Sequence, residues 1–232
     1  RELNKGREAL AKTVKALAET KKSGRGAVLP GILTTSNTKK PEERELFVVE
    51  GDSASGSCKD ARDPHYQEIF KCKGKPVNAM TQTLDRVLAN ETIQGFIISI
   101  GLDLKSLDVK AAHPKFDCKN LRVGKIFILA DADDDGYHIV VLLLSFIFKY
   151  APELIERGLV YIVNAPLFNL IHNGKHYGGP SREAVVSIIP KGAKAASIQR
   201  AKGWGEVSPE LLEMIAFNPD TRKLIQVKPC SD

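Results

Sequence analysis

Nothing in these 232 residues approaches the run of roughly 18–20 apolar residues that a membrane span needs. The opening segment is charged, so no signal peptide is expected there. The first residue is not Met, as expected of a fragment of a longer protein. Cysteine is sparse. Cys58, Cys72, Cys118 and Cys230 are widely spaced with no C-x-x-C pair, which argues against a zinc site and for reduced thiols in a cytoplasmic compartment. There is no internal repeat, no low-complexity tract and no phosphate loop ending in Gly-Lys-Ser/Thr. What remains is a globular chain. Its 43% hydrophobic content is enough for one large or two modest domains, and its net charge of +6 permits a polyanionic partner.

Against that basic background one stretch is acidic. Ile126 to Ala130 is a short apolar run of the kind found in a strand buried on both faces, and Asp131, Asp133, Asp134, Asp135 and Gly136 follow it. Alternate residues of an extended chain point the same way, so Asp131, Asp133 and Asp135 are expected to converge at the strand's C-terminal end. Carboxylates held together repel unless a cation neutralises them, and hard oxygen ligands suit Mg²⁺ or Ca²⁺. The bland alternative is a solvated acidic turn. An EF-hand loop is excluded, because counting from Asp131 its twelfth position is Leu142 rather than a bidentate Glu. A second acidic residue, Glu50, ends another apolar run, Leu46 to Val49, ahead of a Gly/Ser-rich turn. If the two strands are parallel neighbours, their acidic ends meet.

Residues 1–22 have a basic amphipathic pattern, with Leu3, Leu10, Val14 and Leu17 on one helical face. This suits a solvated helix packing one face, or a DNA-facing or interdomain element. Lys71, Lys73 and Lys75 alternate around Gly74 and precede Asn78. On an extended segment they share a face and either meet phosphates or simply face solvent. Gln82 to Ile100 reads as helix with a break at Asn90, and Ile139 to Tyr150 as an apolar helix. Leu159 to Asn164 is expected to be a strand. A hairpin is predicted around Asn173-Gly174. Ser181 is expected to cap a helix reaching Ile188, and Ser208-Pro209 to start another that Asn218-Pro219 stops. Lys223 to Val227 is a final strand. The βαβ alternation predicts an α/β core with a mostly parallel sheet.

Four motifs occur in one order: Val49-Glu50-Gly51-Asp52-Ser53-Ala54, Lys73-Gly74-Lys75-Pro76-Val77-Asn78, Asp131-Ala132-Asp133-Asp134-Asp135-Gly136, and Gln199-Arg200-Ala201-Lys202-Gly203-Trp204-Gly205-Glu206. Together they resemble the metal-binding (Toprim) and tail region of the B subunit of bacterial type IIA DNA topoisomerases, gyrase and topoisomerase IV. The acidic motifs are shared with primases and other Toprim proteins; the last one separates the type IIA reading from them. The resemblance implies a Toprim-type, Rossmann-like sheet flanked by helices with a smaller C-terminal tail: residues 1–28 as an N-terminal helix and linker, 29–170 as the metal-binding domain, 171–232 as hairpin, connection and tail.

It also implies Mg²⁺, with Mn²⁺ or Ca²⁺ as substitutes, held by Glu50, Asp131 and Asp133 at one site and by Asp133 and Asp135 at a second. Glu50, Asp131 and Asp133 are then the catalytic set. Lys75 and Asn78 match DNA-contacting positions, with Lys73 beside them, and Arg200, Lys202 and Glu206 match the tail that packs beside the A subunit. The implied partners are double-stranded DNA and an A subunit supplying the nucleophilic tyrosine in an A2B2 assembly. ATP enters only through a module absent from this chain, and the setting is the cytoplasm with chromosomal or viral DNA. None of Tyr66, Tyr137, Tyr150, Tyr161 and Tyr177 has the nucleophile's Arg-Tyr context. Asp134, Tyr137, Pro76 and Trp204 depart from the family pattern, as in a divergent member. A stand-alone Toprim nuclease or primase-like enzyme, and a non-catalytic DNA-binding module, are the competing readings.

Overall fold

The computed structural model describes residues 31–229 except 110, 132 and 202. The segment 1–22 and Cys230 therefore lie outside the described residues. In chain order the elements are β1 (Leu33–Thr34), β2 (Glu45–Glu50), α1 (Gly51–Ala61), β3 (Gln67–Cys72), α2 (Leu84–Ala89), α3 (Glu91–Ile100), β4 (Lys125–Leu129), α4 (Asp134–Tyr150), α5 (Glu153–Glu156), β5 (Val160–Val163), β6 (Phe168–His172), β7 (Lys175–Gly179), α6 (Arg182–Ile188), β8 (Gln199–Arg200), α7 (Pro209–Leu212) and β9 (Leu224–Gln226). Four strands run parallel in the order β3-β2-β4-β5. β1 and β9 close the two edges antiparallel. The mostly parallel, helix-flanked α/β architecture expected from the sequence is the one observed.

The near-continuous apolar strands are explained by burial on both faces. Successive side chains of β2 point to opposite sides of the sheet. Leu46 and Val48 pack with Ile93, Phe96 and Ile97 of α3 and with Leu143, Phe146 and Ile147 of α4. Phe47 and Val49 pack with Ala54 and Cys58 of α1 and with Leu211, Leu212 and Phe217 around α7. A small sheet of order β7-β6-β8 stands apart with its own cluster of Leu170, Val185 and Ile198. After it the chain returns, and β9 pairs with β5.

Local signals set the element ends. Asn90 breaks the long helical stretch by capping α3, its side chain accepting from the Ile93 N–H. Ser181 and Ser208 cap α6 and α7 in the same way. Asn173 and Gly174 both adopt positive φ (50° and 71°), the conformation that a two-residue type I′ hairpin requires. α7 continues through a π turn over Glu213–Phe217 and stops at Asn218. One buried ion pair ties distant parts of the chain together. Arg222 grips Glu45 with two hydrogen bonds of 2.6 and 2.7 Å and lies over the Phe127 ring at 4.5 Å.

Candidate metal centre

β2 leads through α1 to β3 on one side, and β4 leads through α4 to β5 on the other, so the winding direction reverses between adjacent β2 and β4. Open α/β sheets gather ligands at such a reversal, outside the strands' C-terminal ends. Glu50 is the last residue of β2, and Asp131 follows β4 by two residues. The two acidic strand ends therefore meet, as parallel pairing requires.

The acidic run itself differs from the expected extended stretch. Asp133 is the N-cap of α4, its Oδ1 accepting from the Gly136 N–H at 2.8 Å, and Asp134 and Asp135 occupy the first helical turn. The helix thus begins at Asp134, not Ile139. Acidic residues favour the positive end of a helix, and an Asp at the N-cap satisfies an orphan N–H. The signal for this start lay in the Asp-x-x-Gly spacing. Gly136 is required by close approach: a Cβ there would sit 2.2 Å from the Asp131 carbonyl oxygen.

Asp131 and Asp135, like Asp133, each have a partner of their own. Asp131 Oδ1 accepts from the Trp204 backbone N–H at 3.0 Å, while the indole N–H of Trp204 bonds to the Ala130 carbonyl at 2.8 Å. Asp135 Oδ1 receives Lys75 Nζ at 2.6 Å. Glu50 is different. Its Oε2 is buried and has no hydrogen-bond partner among the described residues. Burial, and then the charges of Asp131, Asp133 and Asp135, raise the Glu50 carboxyl above its ordinary value, with Lys75 opposing. Burial also raises Asp131, countered by the Trp204 N–H and reinforced by Asp133 and Glu206. Asp135 is held low by its bond from Lys75.

These side chains fit a hard divalent cation by two tests. The donors are carboxylate oxygens, and one of them is a buried oxygen with no hydrogen-bond partner among the described residues. Among the described residues no three carboxylate, imidazole or thiol groups are gathered tightly enough to hold one ion.

The basic residues are arranged otherwise than the alternation suggested. Lys71 pairs with Asp52 in the first turn of α1. Gly74, at φ 97°, then breaks the extended chain, so Lys73 and Lys75 do not simply continue one strand face. Lys73, Lys75 and Asn78 are exposed, and the Asn78 side-chain oxygen accepts from the Met80 N–H in a local turn. Arg200 lies in β8 over the Phe168 ring; Lys202 is outside the described residues. The residue that sequence reasoning missed is Trp204, registered only as a departure from pattern, which buries itself against the end of β4 and fixes Asp131. The cavities of about 620 Å³ beside β7 and about 440 Å³ at the strands' opposite end are not lined by these carboxylates.

Comparison with known proteins agrees with this geometry. A family model described as Toprim domain matches residues 45–165. The DNA gyrase B subunit of Archaeoglobus fulgidus is 41% identical over 199 residues, covering 86% of this chain and 30% of that protein. The mitochondrial DNA gyrase B subunit of Arabidopsis thaliana is 39% identical over 230 residues, 97% of this chain and 30% of that protein. The B subunit of DNA topoisomerase 4 from Haemophilus influenzae is 36% identical over 210 residues, 89% of this chain and 32% of that protein. The chain spans about a third of the length of the curated relatives it matches. No helix among the described residues is long and apolar enough to cross a membrane.

Proposed function

The chain belongs to the Toprim family, and on that footing we propose that it is the metal-binding DNA cleavage and religation module of a type IIA topoisomerase B subunit. The observation that carries this reading is the buried Glu50 oxygen, without a partner among the described residues, beside three aspartates at the sheet's reversal point. Glu50, Asp131 and Asp133 would hold one Mg²⁺, and Asp133 and Asp135 a second. When bound, Mg²⁺ supplies stabilisation of the charge on the phosphoryl oxygens and on the leaving 3′ oxygen. Glu50 is the residue placed to relay a proton to and from that 3′ oxygen. Trp204 orients Asp131 through its backbone N–H. Lys73, Lys75 and Asn78 meet the DNA backbone and set its register.

An A subunit supplies the tyrosine. Tyr150 is buried in the core, and none of Tyr66, Tyr137, Tyr150, Tyr161 and Tyr177 has the nucleophile's Arg-Tyr context. ATP hydrolysis belongs to another part of the whole protein, which works in the cytoplasm. The deciding experiment is plasmid cleavage with a cognate A subunit, Mg²⁺ and a denaturant quench. Protein-linked double-strand breaks that need both chains and vanish with Glu50→Ala or Asp133→Asn are the expected result. Breaks made by this chain alone, without linked protein, identify a Toprim nuclease instead. Linked breaks that survive both substitutions overturn the assignment of the carboxylates.

A further inference from the structure

We propose that Lys75 is the internal counter-cation of Asp135 and alternates between that carboxylate and a DNA phosphate, so that a divalent cation at Asp135 releases the lysine to the DNA. The inference rests on the metal-centre reading above and concerns how its two ligands, metal and DNA, are coupled.

Lys75 Nζ lies 2.6 Å from Asp135 Oδ1 and 3.4 Å from His138 Nδ1. An ammonium on Oδ1 and a divalent cation on the same carboxylate compete for its charge, because the two cations repel at such range. Release is easy. The two side chains are 46% and 62% exposed, and exposed pairs of this kind are weak. The lysine's long unbranched stem carries a point charge with no fixed fork geometry to satisfy. Gly74, at φ 97°, starts the turn that aims it. Neighbouring Lys71 makes the contrast. It pairs with Asp52 but is only 13% exposed, so that pair is shut in from the lysine side. The result is a site whose second carboxylate is neutralised from within until a stronger cation takes it, and whose freed lysine then adds positive charge where a phosphate must lie.

The test is a double-mutant cycle on the full 232-residue chain, with binding to a short DNA duplex followed by fluorescence anisotropy in EDTA. Lys75→Ala is expected to change affinity less than about twofold in the parent chain, where the lysine is engaged by Asp135. In the Asp135→Asn background it is expected to cost about threefold to tenfold and to lower the salt slope by about 0.9, one phosphate contact. Lys73→Ala, which removes a charge not seated on Asp135, is expected to cost the same in both backgrounds. Calorimetric titration with Mn²⁺, without DNA, gives an independent readout: Lys75→Ala binds the metal several-fold tighter. Equal costs for Lys75→Ala in the two DNA-binding backgrounds, or weaker Mn²⁺ binding by Lys75→Ala, overturn the proposal. The parent reading fails separately, if Glu50→Gln and Asp133→Asn both leave Mn²⁺ affinity unchanged.

Discussion

Replacing Glu50 with Gln is expected to stabilise the metal-free chain and weaken its hold on metal. Glu50 Oε2 is buried without a partner among the described residues, and three aspartate charges press on the carboxylate. A buried unsatisfied polar atom costs about 1–3 kcal/mol and a charged one more, and Glu50→Gln removes the charge while leaving an unpartnered polar atom in place. Because the residue as a whole is only partly buried, about 1 kcal/mol is the appropriate end of that range, and for a chain of this size this raises the melting temperature by roughly 2–4 °C. The amide keeps the side chain's shape and removes only the charge.

The pH dependence follows from the direction of the shift. The folded Glu50 carboxyl is raised, so the unfolded chain releases that proton first. Stability therefore falls as pH climbs from the unfolded carboxylate value, about 4.3, through the raised folded value. The advantage of Glu50→Gln is absent at acid pH, where Glu50 is protonated, and complete at neutral pH. Mg²⁺ reverses the order. At a hundred times its dissociation constant it stabilises the parent chain by about 2.7 kcal/mol, and the Gln variant by much less. The assay is thermal unfolding followed by circular dichroism, in EDTA and in Mg²⁺, from acid to neutral pH. A Gln variant that melts lower than the parent in EDTA at neutral pH, or a gain that persists at acid pH, refutes this account.

Other outcomes follow from the same structure. Arg222→Met strips Glu45 of its bidentate partner inside the core; the expected loss is about 3–5 kcal/mol by urea denaturation, larger than Glu45→Gln with Arg222→Met together. Trp204→Phe keeps the backbone N–H on Asp131 but leaves the Ala130 carbonyl unpaired; it is expected to cost about 1–2 kcal/mol of stability and to weaken Mn²⁺ binding measured by calorimetry. Gly136→Ala places a methyl against the Asp131 carbonyl; the displaced strand end is expected to abolish Mn²⁺ binding in the same titration while circular dichroism still reports a folded chain.

Much of this molecule is written locally. The runs at Leu46–Val49 and Ile126–Ala130 are apolar at every position, as suits a strand buried on both faces, and with the βαβ alternation they imply a parallel sheet between helices. Asn90, Ser181 and Ser208 cap helices with their own side chains, and Asn173-Gly174 supplies the two positive φ values of a hairpin. Such features are decided by sterics and hydrogen bonds within a few residues, so sequence suffices for them. The acidic residues of the site are legible for the same reason, as they sit where apolar runs end.

Tertiary structure decided which of these ends meet and what else reaches them. Asp133 could be read as extended chain or as a helix cap, and the close approach of Gly136 to Asp131 settles it as a cap. Trp204 lies 73 residues from Asp131 and Lys75 lies 60 from Asp135, yet each supplies its partner's hydrogen bond. Arg222 finds Glu45 across 177 residues. No periodicity or spacing encodes such pairings. They arise because stacking helices on both faces of the sheet and pairing β9 with β5 bring distant stretches together, where buried charges and carbonyls must find whatever donors the packing delivers.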